Sequence, residues 1–146
     1  MIQRIQSLYL LLAAAAGAAT WYFPLWRATL SNAQPAEFRA PQSYLVFILY
    51  MVIVALAVVC IFLYKNRKLQ FRFTVLNIAL AIGATILQYV KVQDYANHFQ
   101  ALNTPVLTAS YLPAAFLPVL IIVLLFMAAR GIYKDEKLIK SLDRLR

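Results

Sequence analysis

The chain has 146 residues, 64% hydrophobic and 13% charged, and its 14 Lys and Arg against five Asp and Glu leave a net charge of +9. A soluble domain carries about a quarter of its residues as charges, so this composition excludes an ordinary soluble enzyme or binding module. Nucleic-acid binding is excluded as well, because the bases adjoin apolar runs and form no basic module with a fold of its own.

Charge placement delimits the elements. No Asp, Glu, Lys, Arg or His occurs within residues 5–26, 40–64, 73–90 or 99–129. A bilayer core takes about 20 mostly apolar helical residues, so the first three runs hold one span each. The fourth run opens with the polar "FQALNTPVLTAS", which includes Pro105, and its span is placed from Tyr111. The predicted spans are about 5–26, 42–64, 73–90 and 111–129. A β-barrel would show ten-residue segments of alternating polarity, and none is found. Short connections make an up-down-up-down bundle the default. The expected fold is therefore all-α and integral to the membrane. Residues 1–129 form the four-helix domain and residues 130–146 a cytoplasmic amphipathic tail.

The first span, within "MIQRIQSLYLLLAAAAGAAT", starts like a secretory signal. Cleavage would leave three spans and upset the charge balance, so it is read as a retained signal anchor. Ala13 and Gly17, four apart, let a neighbouring helix approach closely. "WYFPLW" beyond it fits an aromatic belt at the outer headgroups. The second span holds Cys60, the single cysteine, which excludes an internal disulfide or dithiol relay and reads as a small core residue. The third repeats the small-residue spacing with Ala79 and Gly83, and its polar residues are Asn77, Thr85 and Gln88. These small pairs, with Asn77, are expected to pack helix on helix within the bundle; a seam between two copies is the other use of the same spacing. Asp94 and His98 would share a helix face if this helix continues outward, but two ligands do not make a metal site. In the fourth span Pro118 is expected to bend the helix, while Pro113 fits its first turn.

Lys and Arg set the orientation. With the N-terminus inside, Arg4, four bases between Lys65 and Arg72, and six between Arg130 and Arg146 face the cytoplasm, against Arg27, Arg39 and Lys91 outside. The positive-inside rule then places both termini in the cytoplasm. With their acids counted, the inner segments carry +8 and the outer ones +1. Basic charge at that surface faces anionic lipid.

The tail, "RGIYKDEKLIKSLDRLR", spaces Leu138, Leu142 and Leu145 at i, i+4, i+7 as on one side of a helix. Lys134, Asp135, Glu136 and Lys137 mix both signs of charge beside them, which favours a protein contact over a purely lipid anchor. With Arg4, these seven residues are the candidate docking set. The start "MIQRIQSLYLLLAA" and this tail, on four spans in about this length, resemble a family of small membrane proteins of Bacteroidota, domain of unknown function 4293. The resemblance covers the whole chain in layout and the two ends in motif. It implies a bacterial inner membrane and four helices, and brings no activity, cofactor or catalytic residue.

The expected function is that of a non-enzymatic accessory or scaffold subunit of a bacterial inner-membrane complex, docking through its cytoplasmic face on another membrane protein. No nucleophile–base pair, metal set or dithiol is present to argue for an enzyme, and no cofactor or metal is expected. Membrane lipid is the other expected partner, and a homo-oligomer is compatible with the small-residue faces. The alternative is a small oligomeric carrier or channel, with Asn77, Thr85 and Gln88 lining its path.

Overall fold

The computed structural model describes residues 2–104 and 106–143. Four helices carry the chain: α1 (Ile2–Tyr22), α2 (Tyr44–Phe62), α3 (Arg67–Ala101) and α4 (Leu117–Asp143). All four are long and apolar enough to cross a membrane. They close a ring in which each packs on two others: α1 on α2 and α4, and α3 on α2 and α4. Small and branched side chains and one tyrosine fill the middle, with Leu10, Ala13, Tyr50, Ile53, Ala57, Ala81, Ile121, Leu125 and Ala128 buried.

Helix ends follow local chemistry. Pro24 lies just beyond the end of α1, and the Phe23 N–H closes its last turn on the Ala19 carbonyl. A single 3₁₀ turn, Leu63–Lys65, and Asn66 join α2 to α3. Asn103, at φ 54°, terminates α3: the Thr104 N–H reaches the Phe99 carbonyl and the Asn103 N–H that of Gln100. This is the left-handed cap that asparagine tolerates better than other side chains.

Two expectations are corrected here. The fold is not wholly helical, because the predicted outer loops pair as an antiparallel sheet. Its strands are β1 (Trp26–Leu30), β2 (Pro35–Phe38) and β3 (Val106–Tyr111), in the order β2-β1-β3. Trp26 lies opposite both Phe38 and Tyr111, and the register slips between Thr29 and Leu30. The third helix is also far longer than its apolar part. At 35 residues it spans about 50 Å, and its last turns stand beyond the bundle as the post on which the sheet leans. Trp26, Ala28, Leu30, Ala36 and Phe38 turn inward, and Tyr95 of α3 meets Trp26 at 6.1 Å and Phe38 at 5.5 Å between ring centres. Buried aromatic area compensates for the weakness of such short strands.

At the other end, α4 does not stop at residue 129. One uninterrupted helix runs from the apolar segment into the charged tail. Pro118 occupies its first turn, where the missing N–H costs nothing, so it makes no mid-helix bend.

Candidate functional site

The two end motifs meet. Gln6, from the first turns of α1, donates a hydrogen bond from Nε2 to Oδ2 of Asp135 in α4 at 2.6 Å. Antiparallel packing of α1 on α4 brings residues from opposite ends of the chain level. Gly131, one turn above Asp135, admits the Gln6 side chain: a Cβ there would lie 2.9 Å from Gln6 Cγ. The first residue of α3, Arg67, adds a guanidinium 3.8 Å from the same Oδ2. Phe71 of α3 and Tyr133 of α4 meet at a tilt, 6.0 Å between ring centres.

The electrostatics are unusual for a tail residue. The Asp135 side chain is only 6% exposed, and its Oδ1 is buried with no hydrogen-bond partner among the described residues. A buried carboxylate is costly unless it is paired and hydrogen-bonded, and here one amide donor and one long ion pair serve a single oxygen. The arrangement clasps α1, α3 and α4, and fixes the direction in which α4 leaves the bundle.

The docking candidates therefore divide. Asp135 is not on the surface, because α1 reaches far enough to lay Gln6 over it; its role in a docking face is corrected to that of a clasp. Lys134, Lys137 and Leu138 are exposed, Glu136 is half-buried, and Leu138 keeps 47% of its surface. The side chains of Arg4 and Leu142, and Leu145 altogether, lie outside the described residues.

The packing candidates divide too. Ala13 is fully buried, and a Cβ on Gly17 would strike Val54 Cγ2 at 2.6 Å, so α1 and α2 touch there. Ala79 is exposed, and a Cβ on Gly83 would meet nothing within 4 Å. Packing of this pair inside the bundle is corrected: α3 turns Ala81 and Ala84 inward instead. The inner face of α3 runs Gln70, Thr74, Asn77, Ala81, Ala84, Gln88, Val92.

The polar residues of that face serve neighbouring backbone and side chains. Gln70 Nε2 bonds the Cys60 carbonyl at 2.9 Å, and Asn77 Nδ2 the Ile53 carbonyl at 3.1 Å. Tyr50 Oη donates to Gln88 Oε1 at 2.7 Å, and Gln88 Nε2 reaches the Ala115 carbonyl at 3.3 Å. Thr85 bonds its own helix at Ala81. Ala81 and Ala84 interrupt the row between Asn77 and Gln88, so these groups form two hydrogen-bonded clusters tying α2 to α3 and not one continuous line.

Asp94 and His98 do share the extension of α3. Asp94 pairs with Lys91 at 3.0 Å, and His98 packs edge-on against Phe99. Among the described residues no group of three or more His, Cys, Asp or Glu is placed to hold a metal. Glu37 on β2 joins Arg39 at 3.1 Å and Arg27 at 2.7 Å. The Arg39 hydrogen bond, then that of Arg27, holds the Glu37 carboxyl below its usual range.

Sequence reasoning missed Gln6 and Arg67. A signal for Gln6 was present: it is the amide nearest the apolar run of its helix, and the far end of the chain carries a glycine four residues before an aspartate.

The chain belongs to the family described as Domain of unknown function (DUF4293), whose model matches residues 2–145. The comparison with curated proteins found no match.

Proposed function

We propose that this member of a family without assigned function is a non-enzymatic accessory or scaffold subunit of a bacterial inner-membrane complex, docking through its cytoplasmic face. Membrane residence is supported by an inside-out distribution of side chains. Leu8, Leu11, Ile48, Met51, Val75, Ile86, Leu120 and Phe126 are exposed, while Gln70, Thr74, Asn77 and Gln88 are buried. Lipid accepts the first set, and helix contacts satisfy the second. The charge difference between the two ends supports cytoplasmic termini.

One observation carries the docking reading: the clasp holds α4 upright, and the helix continues past it with Leu138 and Ile139 exposed, at 47% and 41%. A helix end kept rigid and apolar beyond its own bundle is dressed for contact. The test is gentle detergent extraction of the full chain and co-purification, beside a Leu138→Ser/Ile139→Ser variant. A second protein at fixed stoichiometry, lost from the variant at unchanged membrane level, is expected. Purification of this chain alone, as a homo-oligomer indifferent to the variant, would overturn the reading in favour of a carrier or channel.

A further inference from the structure

Resting on that reading, we infer that the surface bound by the end of α4 is an acidic amphipathic helix of a protein partner: an apolar ridge bordered by carboxylates.

Charge is the first argument. In the linear sequence the tail mixes acids and bases, but folding sorts them. Asp135 is withdrawn into the clasp and Glu136 is half-buried, so the exposed charges on α4 beyond the apolar segment, among the described side chains, are Arg130, Lys134 and Lys137. At about 100° per residue, Arg130, Lys134 and Lys137 fall within about 60° of one another, and Leu138 lies about 40° to the far side of Lys134. A basic row thus borders the exposed leucine on one side, while the bundle occupies the other. The segments predicted to face the cytoplasm sum to +8 along the sequence. A second copy would bring two such ends together and be repelled. A helix with glutamates or aspartates beside its leucines matches both stripes.

Geometry argues against anionic lipid, which has the same charge. A tail that anchors in headgroups lies in the membrane plane with its leucines down. Here α4 is unbroken from Leu117 to Asp143 and is clasped to α1 at Gly131 and Asp135. Leu138 stands about 12 Å along the helix from Arg130, directed away from the apolar belt. Laying it down would require breaking the helix and parting Gln6 from Asp135.

The experiment uses the full chain in lipid nanodiscs, with Cys60→Ser and a fluorophore on Ser141→Cys. One probe is a synthetic helical peptide with leucines at heptad spacing flanked by glutamates; its counterpart has lysines in place of the glutamates. Binding of the glutamate peptide alone is expected, weakened at least about tenfold by Lys134→Glu/Lys137→Glu and by Leu138→Ala/Ile139→Ala. Equal binding of both peptides, or none, overturns the inference. So does burial of the fluorophore when phosphatidylglycerol is added to phosphatidylcholine discs without peptide, the result an anionic-lipid anchor gives. The co-purification test separates the two levels. A native partner released by Leu138→Ser/Ile139→Ser but kept by Lys134→Glu/Lys137→Glu sinks the acidic-helix inference and leaves the accessory reading standing; a partner indifferent to both variants sinks that reading itself.

Discussion

Gln6 and Asp135 lie 129 positions apart in the chain and 2.6 Å apart in the fold. Their bond is short, buried and made to a charged acceptor, the strong kind. Removing the donor leaves the carboxylate, among the described residues, only the Arg67 guanidinium at 3.8 Å, so Gln6→Ala should cost about 1–3 kcal/mol of stability. Thermal unfolding in detergent checks it, and a melt unchanged from that of the parent chain would show the clasp to be idle. Two glycines make a sharper pair. Gly17→Ala pushes a methyl into Val54 and should destabilise by about 1–3 kcal/mol through overpacking. Gly83→Ala adds the same methyl where nothing lies within 4 Å; better helix propensity then makes it neutral or stabilising, by at most about 1 kcal/mol. The same melts rank the two.

At the scale of elements, the sheet is the part that pH should reach. Because Arg39 and Arg27 lower the Glu37 pKa, its contribution is complete above the ordinary glutamate value of about 4.3 and is lost as pH falls through the lowered one. Amide protection in the β1–β2 hairpin should therefore weaken in acid, and Glu37→Gln should remove that dependence. Persistence of the full acid response in the variant would place its origin elsewhere. The same hairpin turns through Ala33 at φ 61°, where a Cβ is strained. Ala33→Gly should protect the hairpin by up to about 1 kcal/mol in hydrogen exchange. The strands were legible only in hindsight: "WRATL" and "PAEF" alternate, but over five and four residues, half the length of the barrel strands sought. They hold because α3 outruns its apolar segment and offers Tyr95 and Phe99, which no local pattern announces.

For the whole molecule, the polarity of the charge is the strongest feature. Single cysteines at Ser31, Gln100 and Ser141, in a Cys60→Ser background, can be probed with an impermeant thiol reagent on intact spheroplasts. Labelling at 31 and 100 but not at 141 is expected; the reverse would invert the orientation. Gln100 is exposed, and its substitution leaves the left-handed residue Asn103 at the end of α3 in place.

The sequence by itself determined four apolar helices and the unequal charge of the segments between them, since each depends on composition within a single segment, and the motifs at its two ends pointed to the family. Burial of Ala13 followed from local spacing as well. What only the tertiary structure decided depends on which distant segments come level: Ala81 and Ala84 turned inward where Ala79 and Gly83 were expected, the loops joined as a sheet, and the tail held as a continuation of α4. A helical pattern gives a periodicity but not the rotation of the helix against its neighbours, and in a chain apolar on most faces the hydrophobic contrast that would set that rotation is weak. Asp135 is the clearest case. By composition it belongs to an exposed, mixed-charge tail; antiparallel packing of α1 on α4 lays Gln6 across it, and the acid that seemed part of the docking face becomes the group that positions that face.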